Sequence, residues 1–126
     1  GLAFWYTEKP LQEGPVFGAK DYFKGMGLFF DTYDNRDRRH AHRHPYISAM
    51  VNDGTRSYQY DYNSFSSTEA DLGCHAEFRY RFRTSRVNVV RITYKDRQLS
   101  VDISLVDGQW QPCFRRENVD LPSGYY

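Results

Sequence analysis

Alternation of apolar and polar residues recurs along the chain and predicts short β-strands separated by turns. Gly25–Phe30 differs, because nearly every position is apolar or glycine, which predicts a strand buried on both faces. No stretch shows a helical period of useful length. The other predicted strands are Leu2–Thr7, Tyr46–Val51, Thr55–Tyr60, Cys74–Phe82, Val87–Tyr94, Leu99–Leu105 and a short last strand that begins at Cys113.

Turn residues separate these strands. Asn52-Asp53-Gly54 predicts a hairpin that pairs Thr55–Tyr60 with the strand before it, and Lys95–Gln98 predicts a second hairpin. Glu8–Asp21 reads as a surface loop, and Asp61–Gly73 as another. Val16 and Phe17 are the residues expected to attach the first loop to the core. Short strands with regular turns predict an all-β sandwich or jelly roll.

Composition excludes several classes of protein. A chain of 126 residues predicts one domain. The 17 basic and 16 acidic residues nearly balance, so no nucleic-acid partner is expected. An aromatic content of 17% argues against disorder. No run approaches the roughly 20 apolar residues of a membrane span.

Both ends of the chain lie within structured patterns. There is no initiating Met, Gly1–Tyr6 starts inside a strand pattern, and Ser123–Tyr126 stops on aromatic residues. We therefore expect the chain to be part of a longer domain.

Oxygen-bearing groups follow the buried strand at alternate positions. They are the Asp31 carboxylate, the Tyr33 carbonyl and the Asn35 amide. Calcium prefers several oxygen ligands at short range, and an extended segment leaving a rigid strand supplies them without a helix. The alternative is a strand that ends in an ordinary polar turn, since Asp and Asn are common turn formers.

Three histidines alternate in the polar run that follows. His40, His42 and His44 would share one face of a strand, where they would chelate a transition metal or charge together near pH 6. The simpler interpretation is a solvated loop.

The chain contains two cysteines, Cys74 and Cys113, which are 39 positions apart. The residues alone leave two alternatives: free buried thiols, or one disulfide formed in an oxidising compartment. No C-x-x-C motif is present, so zinc and thioredoxin chemistry are not expected.

Seven sequence blocks occur in one order along the chain: GLAFWYTE, EGPVFGAKD, GLFFDTYDN, SAMVNDGT, GCHAEFRYR, VRITYKDRQLSV and CFRRENVDLPSGYY. Together they resemble the animal L-type lectins of the early secretory pathway, which are mannose-binding cargo receptors. The resemblance spans nearly the whole chain and identifies residues 1–126 as the central part of one carbohydrate-recognition domain, incomplete at both ends.

The resemblance implies a legume-lectin-like, concanavalin-type antiparallel β-sandwich with a calcium site. The residues that match the family's ligands are Asp31, the Tyr33 carbonyl and Asn35, and Asn35 would also touch the sugar. Phe29 stands where plant relatives carry a manganese-binding Glu, so no manganese site is expected. The family pattern also pairs Cys74 with Cys113 in a disulfide.

The chain departs from the family at a Tyr-Asp-His segment, which a calcium-binding Asp follows. If Tyr58 matches the family Tyr, then Tyr60 replaces the sugar-contacting His and Asn63 replaces the Asp. If Tyr60 matches instead, Tyr62 and Phe65 stand at those positions. Either way the pH-sensing His of the family is a tyrosine here.

The implied function is calcium-dependent binding of high-mannose N-glycans on glycoprotein cargo, in the lumen of the endoplasmic reticulum, the intermediate compartment or the Golgi. A membrane anchor outside this chain is expected, and an oligomer is compatible with this interpretation. The alternative is a lectin-like domain with a degenerate sugar site that binds proteins. A sandwich-fold glycoside hydrolase is disfavoured, because no E-x-D-x-E pattern occurs, and we expect no enzyme.

Overall fold

The computed structural model describes residues 1–32, 45–58, 72–78, 87–106 and 108–124. Every regular element among these residues is a β-strand. In chain order the strands are β1 (Leu2–Thr7), β2 (Glu13–Val16), β3 (Lys24–Asp31), β4 (Tyr46–Asp53), β5 (Gly73–His75), β6 (Val89–Lys95), β7 (Gln98–Val106) and β8 (Gln109–Arg116).

Two antiparallel sheets contain seven of these strands. The first sheet has the order β1-β3-β4-β5 and the second the order β6-β7-β8. In the first sheet Leu28 of β3 pairs with Phe4 of β1 on one side and with Ala49 of β4 on the other. The fold is therefore all-β, as the strand pattern predicted.

An inter-sheet core fills the space between the two sheets. Alternate residues of β3 and β4 point into it from the first sheet, and alternate residues of β7 point into it from the second. The buried members from the strands of the two sheets are Met26, Leu28, Ile47, Ala49, Leu99, Val101, Ile103 and Phe114. Apolar burial of this kind is the main stabilising contribution to a sandwich.

An outer cluster covers the opposite face of the first sheet. It consists of Trp5, Val16, Ala19, Phe23, Phe29 and Met50. Because this cluster and the inter-sheet core lie on opposite faces of the sheet, β3 is buried on both, as its continuous apolar run predicted. Val16, in the predicted loop, is fully buried, and Phe17 packs against the cluster. Both attach the first loop to the core as expected.

Four predictions from the sequence differ from the structure. Residues 55–58 do not form a strand. The predicted strand Thr55–Tyr60 also includes residues 59–60, which lie outside the described range. Within the described part of the predicted strand Cys74–Phe82, Cys74 and His75 belong to β5 and residues 76–78 are not strand. The predicted loop Glu8–Asp21 contains the short strand β2, and β8 begins at Gln109, before Cys113.

The missing hairpin has a clear physical cause in the Asn52 side chain. Its Oδ1 accepts hydrogen bonds from the backbone N–H groups of Gly54, at 3.1 Å, and Arg56, at 3.3 Å, and its Nδ2 donates to the Arg56 carbonyl at 2.7 Å. The side chain thus satisfies backbone groups that a returning strand would have paired. β3 pairs with one edge of β4 along its whole length, and β5 pairs with the other edge at Tyr46–Ser48. The second predicted hairpin is confirmed, since Lys95 pairs with Gln98.

A disulfide joins the two sheets. Cys74 of β5 is bonded to Cys113 of β8, with 5.2 Å between the two Cα atoms. Both residues pack against the inter-sheet core. The pairing that the family resemblance implied is confirmed.

We expect loss of this disulfide to destabilise the domain strongly. A closed loop of this length contributes about 4 kcal/mol in the chain-entropy model, so Cys74→Ala with Cys113→Ala should lower the free energy of unfolding by about that amount. The measurement is chemical denaturation of both proteins. Thiol titration of unreduced, denatured wild-type protein should find no free sulfhydryl, and two titratable thiols would contradict the bond.

Gly27 of β3 is required by the aromatic rings above it. A Cβ at this position would lie 2.5 Å from Cζ of Phe29 and 2.9 Å from Cζ3 of Trp5. Gly27→Ala should therefore lower the free energy of unfolding by about 1–3 kcal/mol through overpacking. In a Phe29→Leu background the same change should cost less, because the smaller side chain leaves room. An equal cost in both backgrounds would exclude this steric cause.

Candidate functional site

Asp31 is the last residue of β3 and lies at one end of the first sheet. It pairs with Tyr46 of β4, which in turn pairs with His75 of β5. Directly paired residues share a face, so these three side chains form a row across the sheet, about 10 Å long from first to last. By alternation Asp31 lies on the same face as Phe29, that of the outer cluster.

Aromatic rings support this end of β3. The Phe29 ring lies 5.4 Å from that of Trp5, 5.0 Å from that of Phe17 and 4.8 Å from that of Tyr58, measured between centroids. Phe29 is buried, with a relative exposure of 1%. The backbone just before Asp31 is therefore held by close packing rather than left to a mobile loop.

Phe17 reaches this group through an uncommon backbone conformation. Its φ is 46°, in the left-handed region that bulky side chains rarely adopt. The conformation turns its ring onto Phe29 and brings it beside the chain start, where a Cβ on Gly1 would lie 2.9 Å from Cε1 of Phe17. The packing of the ring compensates for the backbone strain.

Among the predicted ligands, Asp31 is the one that the structure describes. Tyr33, Asn35, Tyr60 and Asn63 lie outside the described residues. Among described residues, no group of three His, Cys, Asp or Glu side chains is close enough to hold a metal ion. The described part therefore contributes one carboxylate on a rigid strand, whose oxygen chemistry suits a hard cation such as calcium.

The histidine cluster also falls outside the described residues, since His40, His42 and His44 belong to residues 33–44. His75 is described, and its Nδ1 lies 2.8 Å from the carbonyl oxygen of Pro45. No pattern in the sequence connects His75 with Asp31. The link depends on which strands are neighbours in the sheet, and no local motif indicates that.

An ion pair lies at the other end of β3. Glu8 and Lys24 form an ion pair of 2.7 Å at the opposite end of β3, which lowers the pKa of Glu8 and raises that of Lys24. Within the described residues, no helix is long and apolar enough to cross a membrane.

Comparison with known proteins gives a consistent family. The model of the "Legume-like lectin family" matches residues 1–126. Mouse "VIP36-like protein" is 43% identical over 129 aligned residues, which cover 100% of this chain and 35% of the relative. Mouse "Vesicular integral-membrane protein VIP36" is 41% identical, covering 100% of this chain and 34% of the relative. The chain thus spans about a third of the length of these relatives.

Solved structures agree with the sequence comparison. The crystal structure of the VIP36 exoplasmic/lumenal domain in its Ca2+/Man2-bound form superposes with a TM-score of 0.83 at 40% identity, covering 98% of this chain and 47% of that chain. The family resemblance and the legume-lectin-like fold expected from the sequence are both confirmed. The match over every residue, together with the shared sandwich, shows that the chain belongs to the legume-like lectin family.

Proposed function

We propose that this chain is the central part of a lectin domain that binds high-mannose N-glycans on glycoprotein cargo in a calcium-dependent way. The observation that carries the proposal is the 40% identity, across almost the whole chain, to a lumenal domain crystallised with Ca2+ and Man2. The position of Asp31 at the end of a rigid strand supports it further.

Calcium is the proposed cofactor, held by Asp31, the Tyr33 carbonyl, Asn35 and Asn63. All four offer hard oxygen donors, which is the ligand type that calcium selects. When bound, the ion supplies positive charge and fixed geometry to its ligands, with no chemistry on the sugar. The residues of the chain do the recognition.

Asn35 and Tyr60 are the proposed carbohydrate contacts. A sugar presents many hydroxyl groups and little apolar surface, so its recognition depends on hydrogen bonds with preset geometry. An Asn side chain that is already held by a metal loses little conformational entropy when it pairs with two hydroxyls. The binding energy thus comes from preorganisation rather than from buried area.

A secretory location fits both the disulfide and the relatives. Disulfides persist in oxidising compartments, and the matched VIP36 structure is of an exoplasmic/lumenal domain. We place the protein in the lumen of the endoplasmic reticulum, the intermediate compartment or the Golgi. We also propose a membrane anchor in a segment outside this chain. The oligomeric state of the complete protein is a separate property to be measured.

A second candidate function is protein binding by a domain whose sugar site has degenerated. It is favoured by the tyrosine that stands where the family carries its sugar-contacting His. Glycan binding by the complete lumenal domain, measured with and without a chelator, separates the two. Chelator-sensitive mannose binding supports the lectin, and cargo binding without any glycan binding supports the alternative.

Asp31→Ala should abolish measurable calcium uptake by the complete domain. The change removes a charged ligand, so the loss should exceed the roughly 10–100-fold effect of a residue that only orients ligands. Calorimetric titration with calcium is the measurement. Asp102→Ala is the control, since this carboxylate lies on the second sheet, 3.4 Å from Arg91. Equal uptake by wild type and Asp31→Ala would show that Asp31 is not a ligand.

Sugar binding should change little between pH 7.4 and 6, values chosen to bracket an unperturbed histidine. The reason is that Tyr60 or Tyr62 replaces the family His, and tyrosine stays neutral across this range with an ordinary pKa of about 10. The sequence predicts a solvated loop for His40, His42 and His44, and charges in such a loop would be screened by solvent and salt. Glycan-binding titrations at both pH values provide the measurement.

Two histidine variants locate the cause if binding does fall steeply at pH 6. A loss that disappears when His40, His42 and His44 are changed to Gln would make that loop the sensor. If the loss survives this triple change but disappears in His75→Gln, the sensor would be His75, which lies in the same row as Asp31. Either result contradicts the prediction.

A further inference from the structure

Asp21 binds a distant part of the chain with both of its carboxylate oxygens. Its Oδ1 accepts a hydrogen bond of 2.7 Å from the backbone N–H of Tyr58, and its Oδ2 accepts one from the Ser57 hydroxyl. These partners lie 37 and 36 positions further along the sequence. The Oδ1 atom also accepts from the backbone N–H of Tyr22, at 2.8 Å. One carboxylate therefore joins the segment before β3 to the segment after β4.

This contact is stronger than an ordinary loop hydrogen bond. Hydrogen bonds to a charged acceptor are about twice as strong as neutral ones. Burial of the Asp21 carboxylate opposes ionisation, but the bonds from Ser57, Tyr58 and Tyr22 outweigh burial and lower its pKa below the ordinary value. Tyr22 has a φ of 56°, an uncommon conformation for an aromatic residue, so the turn is held in place by these contacts.

Tyr58, which Asp21 binds, belongs to the group of aromatic rings that pack on β3 near Asp31. The Tyr58 ring lies 4.8 Å from the Phe29 ring and 6.1 Å from the Phe17 ring. Phe29 precedes Asp31 by two positions on the same face of β3. Fixing the Tyr58 backbone therefore fixes one of the rings that pack against Phe29, on the strand that ends at Asp31.

We propose that Asp21 is a positioning residue for the calcium site, acting through Ser57 and Tyr58 rather than by touching the ion. This inference rests on the proposed function. Without the carboxylate, Ser57 and Tyr58 lose their link to the turn before β3, and the arrangement of rings that supports Asp31 is populated less often. The apparent affinity for calcium falls in proportion to the fraction of molecules that keep the binding arrangement.

The test compares Asp21→Ala and Asp21→Asn with wild type in the complete lumenal domain. Asp21→Ala should raise the calcium Kd by about tenfold or more, as loss of hydrogen bonds to a charged group predicts. Asp21→Asn retains one acceptor oxygen and should show a smaller increase. Calorimetry is performed well below the unfolding temperature of each metal-free variant, so that a change in folded fraction does not contribute.

Excess calcium separates positioning from a merely structural role. Once the site is saturated, mannose affinity of Asp21→Ala should return to within about twofold of wild type, because bound metal selects the competent arrangement. A variant that only melts at lower temperature would show an unchanged calcium Kd. That result would overturn the proposal, as would mannose affinity that stays low at saturating calcium.

A double-mutant cycle tests the route. If Asp21 acts through Tyr58, the combination of Asp21→Ala with Tyr58→Ala should weaken calcium binding no more than the stronger single change. Additive losses would contradict this route.

Asp120→Ala is the matched control, since this carboxylate also binds a distant side chain, Arg97, at 2.7 Å, and its loss should leave the calcium Kd unchanged. If wild type takes up no calcium, the proposed function fails; if wild type binds and Asp21→Ala binds equally, only the role of Asp21 fails.

Discussion

Burial of β3 on both faces is the constraint on which the rest of the structure depends. Met26 and Leu28 point into the inter-sheet core, while Phe29 points into the outer cluster. A strand packed on both sides has little freedom to slide, because a one-residue slip would exchange its two faces. The backbone of its last residue, Asp31, is therefore held in a fixed position in the sheet.

The two layers of packing depend on cross-connections that lie far apart in the chain. The inter-sheet core is closed by the bond between Cys74 and Cys113, which links an edge strand of one sheet to the other sheet. The outer cluster is closed by the loop that carries Val16 and Phe17. Gly27 leaves the space that the rings of Trp5 and Phe29 occupy. The rigidity of β3 at its Asp31 end is thus a consequence of burial elsewhere in the molecule.

Two polar side chains, Asn52 and Asp21, fix the path of the chain after β4. Asn52 satisfies the backbone of the turn after β4, and Asp21 then binds Ser57 and Tyr58. Both use the same physical principle, since a side-chain oxygen replaces the hydrogen bonds that strand pairing would have supplied. The result is a path that leaves the sheet and brings Tyr58 over Phe29.

The amino-acid sequence by itself determined the strands whose burial is periodic or continuous. The strands β1, β3 and β7 follow from apolar patterning, and the hairpin at Lys95–Gln98 follows from turn chemistry. The role of Asp31 as a calcium ligand stays a prediction from the sequence, and the structure shows the residue at the end of β3. Family blocks, rather than residue spacing, identified the disulfide.

Tertiary structure decided what depends on contacts between distant residues. The failed strand at residues 55–58 has acceptable local propensity, but the Asn52 side chain binds the backbone of Gly54 and Arg56 in place of strand pairing. The positions of Phe17 and Tyr22 at positive φ, and the bond from Asp21 to Tyr58, carry no local signature, since each is stabilised by a partner elsewhere in the chain. Local patterning specifies which residues are buried, whereas only the folded arrangement determines which of them meet.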